Sequence, residues 1–146
     1  MTMKKLFFVS TFSLFAIATC FAQKSNDEKA ISTAVHHFAA NADQQDVKKM
    51  AAVLDDNFRA VVNRLFGSKE VSIMDKSLYL QLLKDKKIGG SKRDVTILTM
   101  NITNNNAAVK AQLVGKNLLF TTYLLLVKNE EGDWKIVNDM PFIEKV

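Results

Sequence analysis

From Asp94 to Ile143 the chain contains no stretch of helical period, only β-patterned runs separated by turns too short to hold a helix. The runs cover 94–103, 107–114, 117–128 and 134–143. The breaks between them are Asn104-Asn105-Asn106, Gly115-Lys116 and the Asn129–Asp133 turn. Strands joined this closely pair with their chain neighbours, so the spacing predicts an antiparallel meander. Helical signals all lie earlier. Ile31, Ala34, Val35, Phe38 and Ala42 form one apolar stripe, and Val47, Met50, Ala51 and Leu54 form a second behind Asp46, a residue suited to an N-cap. A strand follows over Phe58–Phe66, a turn at Gly67-Ser68, and a short paired strand over Val71–Met74. Asp75 then caps a third helix carrying Leu78, Tyr79, Leu82 and Leu83, closed by lysines and Gly89-Gly90. Helices first and strands later give an α+β class, with the helices on one face of a curved antiparallel sheet.

The first residues read as an export signal. Lys4 and Lys5 form the basic start, Leu6–Ala18 the apolar core, and Cys20-Phe21-Ala22 a small-x-small cleavage site, giving a signal peptide over 1–22 and a single domain over 23–146. The run is too short to span a bilayer comfortably, so no transmembrane segment is expected and the protein is expected in the periplasm. Removing 22 of the 146 residues leaves 124, enough for one core. The single cysteine, Cys20, lies in the signal, so the mature chain would rely on packing without disulfides. Lipidation at Cys20 is the competing reading, disfavoured by Thr19, because lipoprotein signals want a small residue there. The signal takes two of the 20 basic residues, lowering the net charge from +5 to +3, which gives no reason to expect nucleic acid as a partner.

The run 117–128 is apolar on both faces. Leu118, Phe120, Leu124 and Leu126 share one, while Leu119, Tyr123, Leu125 and Val127 share the other. One face covers the helices; the second predicts a homodimer through the outer sheet face.

The order helix, helix, strand, helix, then a meander ending in Trp134-Lys135-Ile136-Val137-Asn138 resembles the nuclear transport factor 2-like superfamily. That cone-shaped fold is shared by ketosteroid isomerases, scytalone dehydratases and SnoaL-like polyketide cyclases. Within it the chain is most similar to the bacterial group labelled "putative lumazine-binding", through Asp46–Met50, Leu54–Phe58, Tyr79–Lys84 with Gly89-Gly90, and Tyr123–Lys128 through Asn138. The likeness runs from about residue 27 to residue 144. The tight turn before helix two, often Gly-Asp in such families, reads Gln45-Asp46 here. The resemblance implies a hollow suited to a small organic ligand, aromatic ones included.

Steroid-isomerase chemistry does not transfer. The position of the oxyanion-hole tyrosine falls on Phe38, and that of the general-base aspartate near Val61 or Val62; neither residue type can do the work. His36 and His37 point about 100° apart on a helix and cannot share a ligand, and without Cys or further His no metal shell is expected. Lys84, Lys86, Lys87, Lys92 and Arg93 surround Gly89-Gly90. They suit a solvated helix C-terminus, although they could also hold an anion. Asn101-Ile102-Thr103 matches a glycosylation sequon, which a bacterial signal discounts. Strand alternation places Trp134, Ile136, Asn138 and Met140 on the inner face and Asp139 outside. The expected ligand-binding residues are Asn138, Tyr123, Asn63, Tyr79 and His37, with no cofactor and no catalytic pair. The sequence thus reads as an exported small-molecule-binding domain that does not catalyse. Two alternatives stand beside it: a cofactor-free dehydratase or isomerase using Asp139 or His37, and a dimeric interaction module without ligand.

Overall fold

The structure, a computed structural model, describes the backbone of residues 10–146, with side chains described from Gln23 onward. The expected signal over 1–22 therefore falls partly outside the described residues, and its side chains, Cys20 included, lie wholly outside them. The elements are α1 (Ser10–Asp43), α2 (Val47–Val53), β1 (Leu54–Asn63), a 3-10 turn (Leu65–Gly67), β2 (Val71–Asp75), α3 (Lys76–Lys84), β3 (Asp94–Thr103), β4 (Asn106–Val114), β5 (Leu118–Lys128) and β6 (Trp134–Lys145). Among the described residues no helix is long and apolar enough to cross a membrane.

Both caps form as their chemistry requires. Asp46 accepts from the Lys49 amide at 3.0 Å and Asp75 from the Leu78 amide at 2.8 Å, satisfying amides that helix geometry leaves free. Gln45 takes a left-handed φ of 54° in the turn before α2, a conformation that favours glycine. Its side chain offsets that cost by donating to the Ile88 carbonyl at 3.0 Å. Gly89 lies against the same junction: a Cβ there would sit 2.1 Å from the Ala42 carbonyl oxygen.

The sheet has six strands in the order β2-β1-β6-β5-β4-β3. β3 to β6 form the expected meander, but β1 pairs β6 in parallel, so the sheet is mixed, not wholly antiparallel as predicted. Three irregularities bend it, between Ile97 and Thr99 on β3, Leu54 and Arg59 on β1, and Leu125 and Leu126 opposite β6. The α1 stripe Ile31, Ala34, Val35, Phe38 and Ala42 packs with Phe58, Val109, Leu124, Leu126, Trp134 and Ile136 in one core. Each large buried side chain there contributes roughly 1.5–3 kcal/mol of transfer free energy. Two polar ties fix α1 to the sheet. Asp27 accepts from Lys128 Nζ at 2.7 Å and from Trp134 Nε1 at 3.1 Å, and Asp43 pairs with Arg93 Nε at 2.6 Å.

Candidate functional site

The inner face of the sheet does not close completely on the helices. Between them lies a cavity of about 430 Å³. Phe38 and Ala42 of α1, Ala60 and Val62 of β1, Met74 of β2 and Leu113 of β4 supply apolar wall, with Phe120 of β5 and Ile143 of β6 opposite. The buried end is polar: Tyr79 from α3, Thr122 from β5 and Asp139 from β6. Exposed lining residues come from loops, Leu65 and Phe66 after β1, Lys87 and Ser91 after α3, and Lys116 and Asn117 between β4 and β5. These loops form the mouth.

Asp139 reaches the interior through a bulge. Across β5, Leu125 pairs Asn138 whereas Leu126 pairs Ile136, leaving Val137 as the extra residue. One added residue reverses the side-chain phase, so Trp134 and Ile136 face in before it and Asp139, Pro141 and Ile143 face in after it. The expectation that Asn138 looks inward and Asp139 outward is overturned. Asn138 instead donates to the Arg59 carbonyl at 3.2 Å on the neighbouring strand.

Asp139 is 7% exposed, and its Oδ1 accepts from Thr122 Oγ1 at 2.5 Å. Burial pushes its carboxyl up to about 6, against the opposing pull of the Thr122 bond and the Arg93 charge. Tyr79 stacks on Phe38 with centroids 6.2 Å apart and meets Phe58 edge-on at 5.2 Å. Burial raises the Tyr79 hydroxyl well above the ordinary phenol range, and the nearby Asp139 charge adds to this, so it stays a donor at any physiological pH. Neither the Tyr79 hydroxyl nor the second Asp139 oxygen has a protein partner among the described residues, yet no fully buried polar side-chain atom is left unsatisfied. Both atoms therefore retain accessible surface, and both residues line the cavity. Arg93 also lines it. Its Nε is held by Asp43, its Nη2 by the Ala39 carbonyl at 3.2 Å, and its guanidinium lies 5.0 Å over the Phe120 ring.

Of the five expected residues, Tyr79 lines this cavity and the other four do not. Tyr123, 49% exposed, stands on the outer face because Thr122 and Leu124 take the inner one. Asn63 is exposed at the end of β1, beyond the last inward residue, Val62. His37 is exposed and lines a separate, more open depression of about 530 Å³ with Asn41, Lys49, Trp134 and Lys135. His36 donates from Nδ1 to the Ser32 carbonyl at 2.8 Å. Phe38 and Val62 do face the cavity, and the hydroxyl that Phe38 lacks is supplied beside it by Tyr79. Thr122 was readable from the sequence, since it shares the parity of Leu124 and Leu126. Asp139 was not, since the bulge before it carries no glycine or proline. Among the described residues, no three His, Cys, Asp or Glu side chains converge to hold a metal.

Comparisons with known proteins agree with this architecture. The family described as "Putative lumazine-binding" matches residues 26–140. No curated protein matches the chain. An NTF-2 like protein of unknown function from Silicibacter pomeroyi is 14% identical, with 83% of this chain and 98% of that one covered and a TM-score of 0.72. A protein of unknown function with a cystatin-like fold from Nostoc punctiforme is 12% identical, covering 81% and 91%, with a TM-score of 0.67. A ketosteroid isomerase-like protein from Erwinia carotovora atroseptica is 13% identical, covering 81% and 95%, with a TM-score of 0.63. At such identities the likeness establishes the fold alone.

Proposed function

Because the chain belongs to the putative lumazine-binding family of nuclear transport factor 2-like domains, we propose that it is an exported, non-catalytic domain that binds a small organic molecule in the 430 Å³ cavity. One observation carries the reading. At its buried end a largely apolar cavity presents two polar atoms that keep accessible surface and have no protein partner among the described residues, the Tyr79 hydroxyl and an Asp139 oxygen. Each hydrogen bond a ligand makes to such a group contributes roughly 0.5–1.5 kcal/mol, and two of them at the end of an apolar wall fix its orientation. The volume also argues against an interaction module with a filled cone. Thermal-shift screening of small organic molecules tests the reading, with Tyr79→Phe and Asp139→Asn as controls. Hits unaffected by both substitutions, or an absence of hits, would sink it.

A second reading, a cofactor-free isomerase or dehydratase, is favoured by the carboxyl of Asp139, pushed up to about 6 and able to exchange a proton near neutrality. His37, the other candidate base, opens on the separate depression and has no place in it. Deuterium uptake from D2O into carbonyl compounds, lost in Asp139→Asn, distinguishes this from simple binding.

Export rests on Lys4, Lys5 and the Leu6–Ala18 run. A periplasmic protein whose N-terminus is Gln23 supports it, whereas palmitate incorporated at Cys20 replaces it with a lipoprotein. Homodimerisation rests on the outer sheet face, where Tyr123 and Leu125 of β5 stand beside Met140 and Phe142 of β6, each 45–62% exposed.

A further inference from the structure

The cavity is polarised from end to end. Its buried end holds a carboxylate without an ion-pair partner: Arg93, the cation whose charge reaches it, is engaged by Asp43 and Ala39. Its mouth carries Lys87 and Lys116 on two different loops, and Asp139 is the sole acidic residue in the lining. Between the ends the wall is Phe38, Val62, Leu113, Phe120 and Ile143. At the buried end the unpartnered groups are a donor, the Tyr79 hydroxyl, and an acceptor, the second Asp139 oxygen. A single ligand hydroxyl matches both, since it accepts from one and donates to the other. A ligand carboxylate at the mouth would meet two cations in place of bulk water.

We propose that the cavity takes a hydroxy-carboxylic acid with a flat or extended apolar body, its hydroxyl between Tyr79 and Asp139 and its carboxylate between Lys87 and Lys116. This inference rests on the cavity being a ligand site and names the class of ligand. The lysines flanking Gly89-Gly90 thus divide, Lys87 serving the site and Lys84, exposed at the end of α3, serving the helix terminus.

The test is calorimetric titration of the full mature chain at pH 7.5 with 6-hydroxy-2-naphthoate, 2-naphthoate and 2-naphthol. The hydroxy acid is expected to bind at least tenfold more tightly than either truncated probe. Asp139→Asn and, independently, Tyr79→Phe should reduce the advantage of the hydroxy acid over 2-naphthoate to less than threefold. Lys87→Gln with Lys116→Gln should weaken both acids while leaving 2-naphthol unchanged. Equal binding of 2-naphthol overturns the anionic end, and equal binding of 2-naphthoate overturns the hydroxyl end. If none of the three binds, the ligand class is wrong. Nile red, a neutral dye, then separates the two levels. Its binding, abolished by Val62→Trp, keeps the cavity as a ligand site, and its failure removes that reading too.

Discussion

Thr122 on β5 donates its hydroxyl across the strand pair to Asp139 on β6 at 2.5 Å, and it is the one side chain among the described residues that bonds this buried carboxyl. Asp139 faces Leu124 in the ladder, so the bond is the diagonal contact, two residues along. The strand ladder thereby fixes the direction in which the carboxylate's other oxygen looks.

The pH dependence of stability follows from that carboxyl. Its folded value, about 6, lies above the ordinary 3.8, so between these limits the folded chain binds the proton that the unfolded chain has lost. The stability this contributes is complete below about pH 4 and is lost as pH rises through 6. Asp139→Asn should accordingly stabilise the protein at pH 7.5 by up to about 3 kcal/mol and by little at pH 4. Urea midpoints of both proteins across pH 4–8 check this, and a constant difference would contradict it.

Tyr79→Phe removes a hydroxyl that bonds no protein group among the described residues while keeping both aromatic contacts. Stability should change by less than about 1 kcal/mol. The effect should appear in ligand binding, and thermal melts with and without ligand separate the two.

Gly89→Ala places a methyl 2.1 Å from the Ala42 carbonyl oxygen at a φ of +73°. That oxygen already accepts from the Gly90 and Gln45 amides at 3.1 Å, so it cannot retreat without breaking the α1–α2 junction. A loss of roughly 3 kcal/mol or more is expected. Gly132→Ala, also at positive φ but with open space around it, should lose only about 1–2 kcal/mol. Chemical denaturation of the pair isolates the steric part.

Arg93→Met leaves Asp43, whose side chain is 11% exposed, with the residue-93 amide but no cation, and should cost roughly 3–5 kcal/mol. Adding Asp43→Leu should recover much of that, because the unpaired charge and not the missing bond dominates the loss. Double-mutant unfolding energies measure the recovery.

The sequence made much of the fold legible because periodicity and caps are local. The α1 stripe, the Asp46 and Asp75 caps and the β3–β6 meander all follow from residues within a few positions of one another. The parallel β1–β6 pairing is not local, joining Leu54 to Ile136 and Ala60 to Asp139 across most of the chain. The site was half legible. Tyr79 sits on a clear helical stripe and Thr122 on a clear strand parity, but Asp139 depends on a bulge at Val137 that no turn residue marks. Tyr123 and Asn63 were misplaced for a simpler reason: polar residues within strands alternate faces like any others.

The strand order carries one consequence for the making of the protein. β6 is last among the strands in the chain yet sits between β1 and β5, so the β1–β2 hairpin and the β3–β5 meander share no edge until it arrives. Before then each half exposes an unpaired strand, and the inner wall of the cavity, Asp139 included, does not exist. Closure of the whole sheet is therefore gated by the synthesis of β6, the strand that joins its two halves.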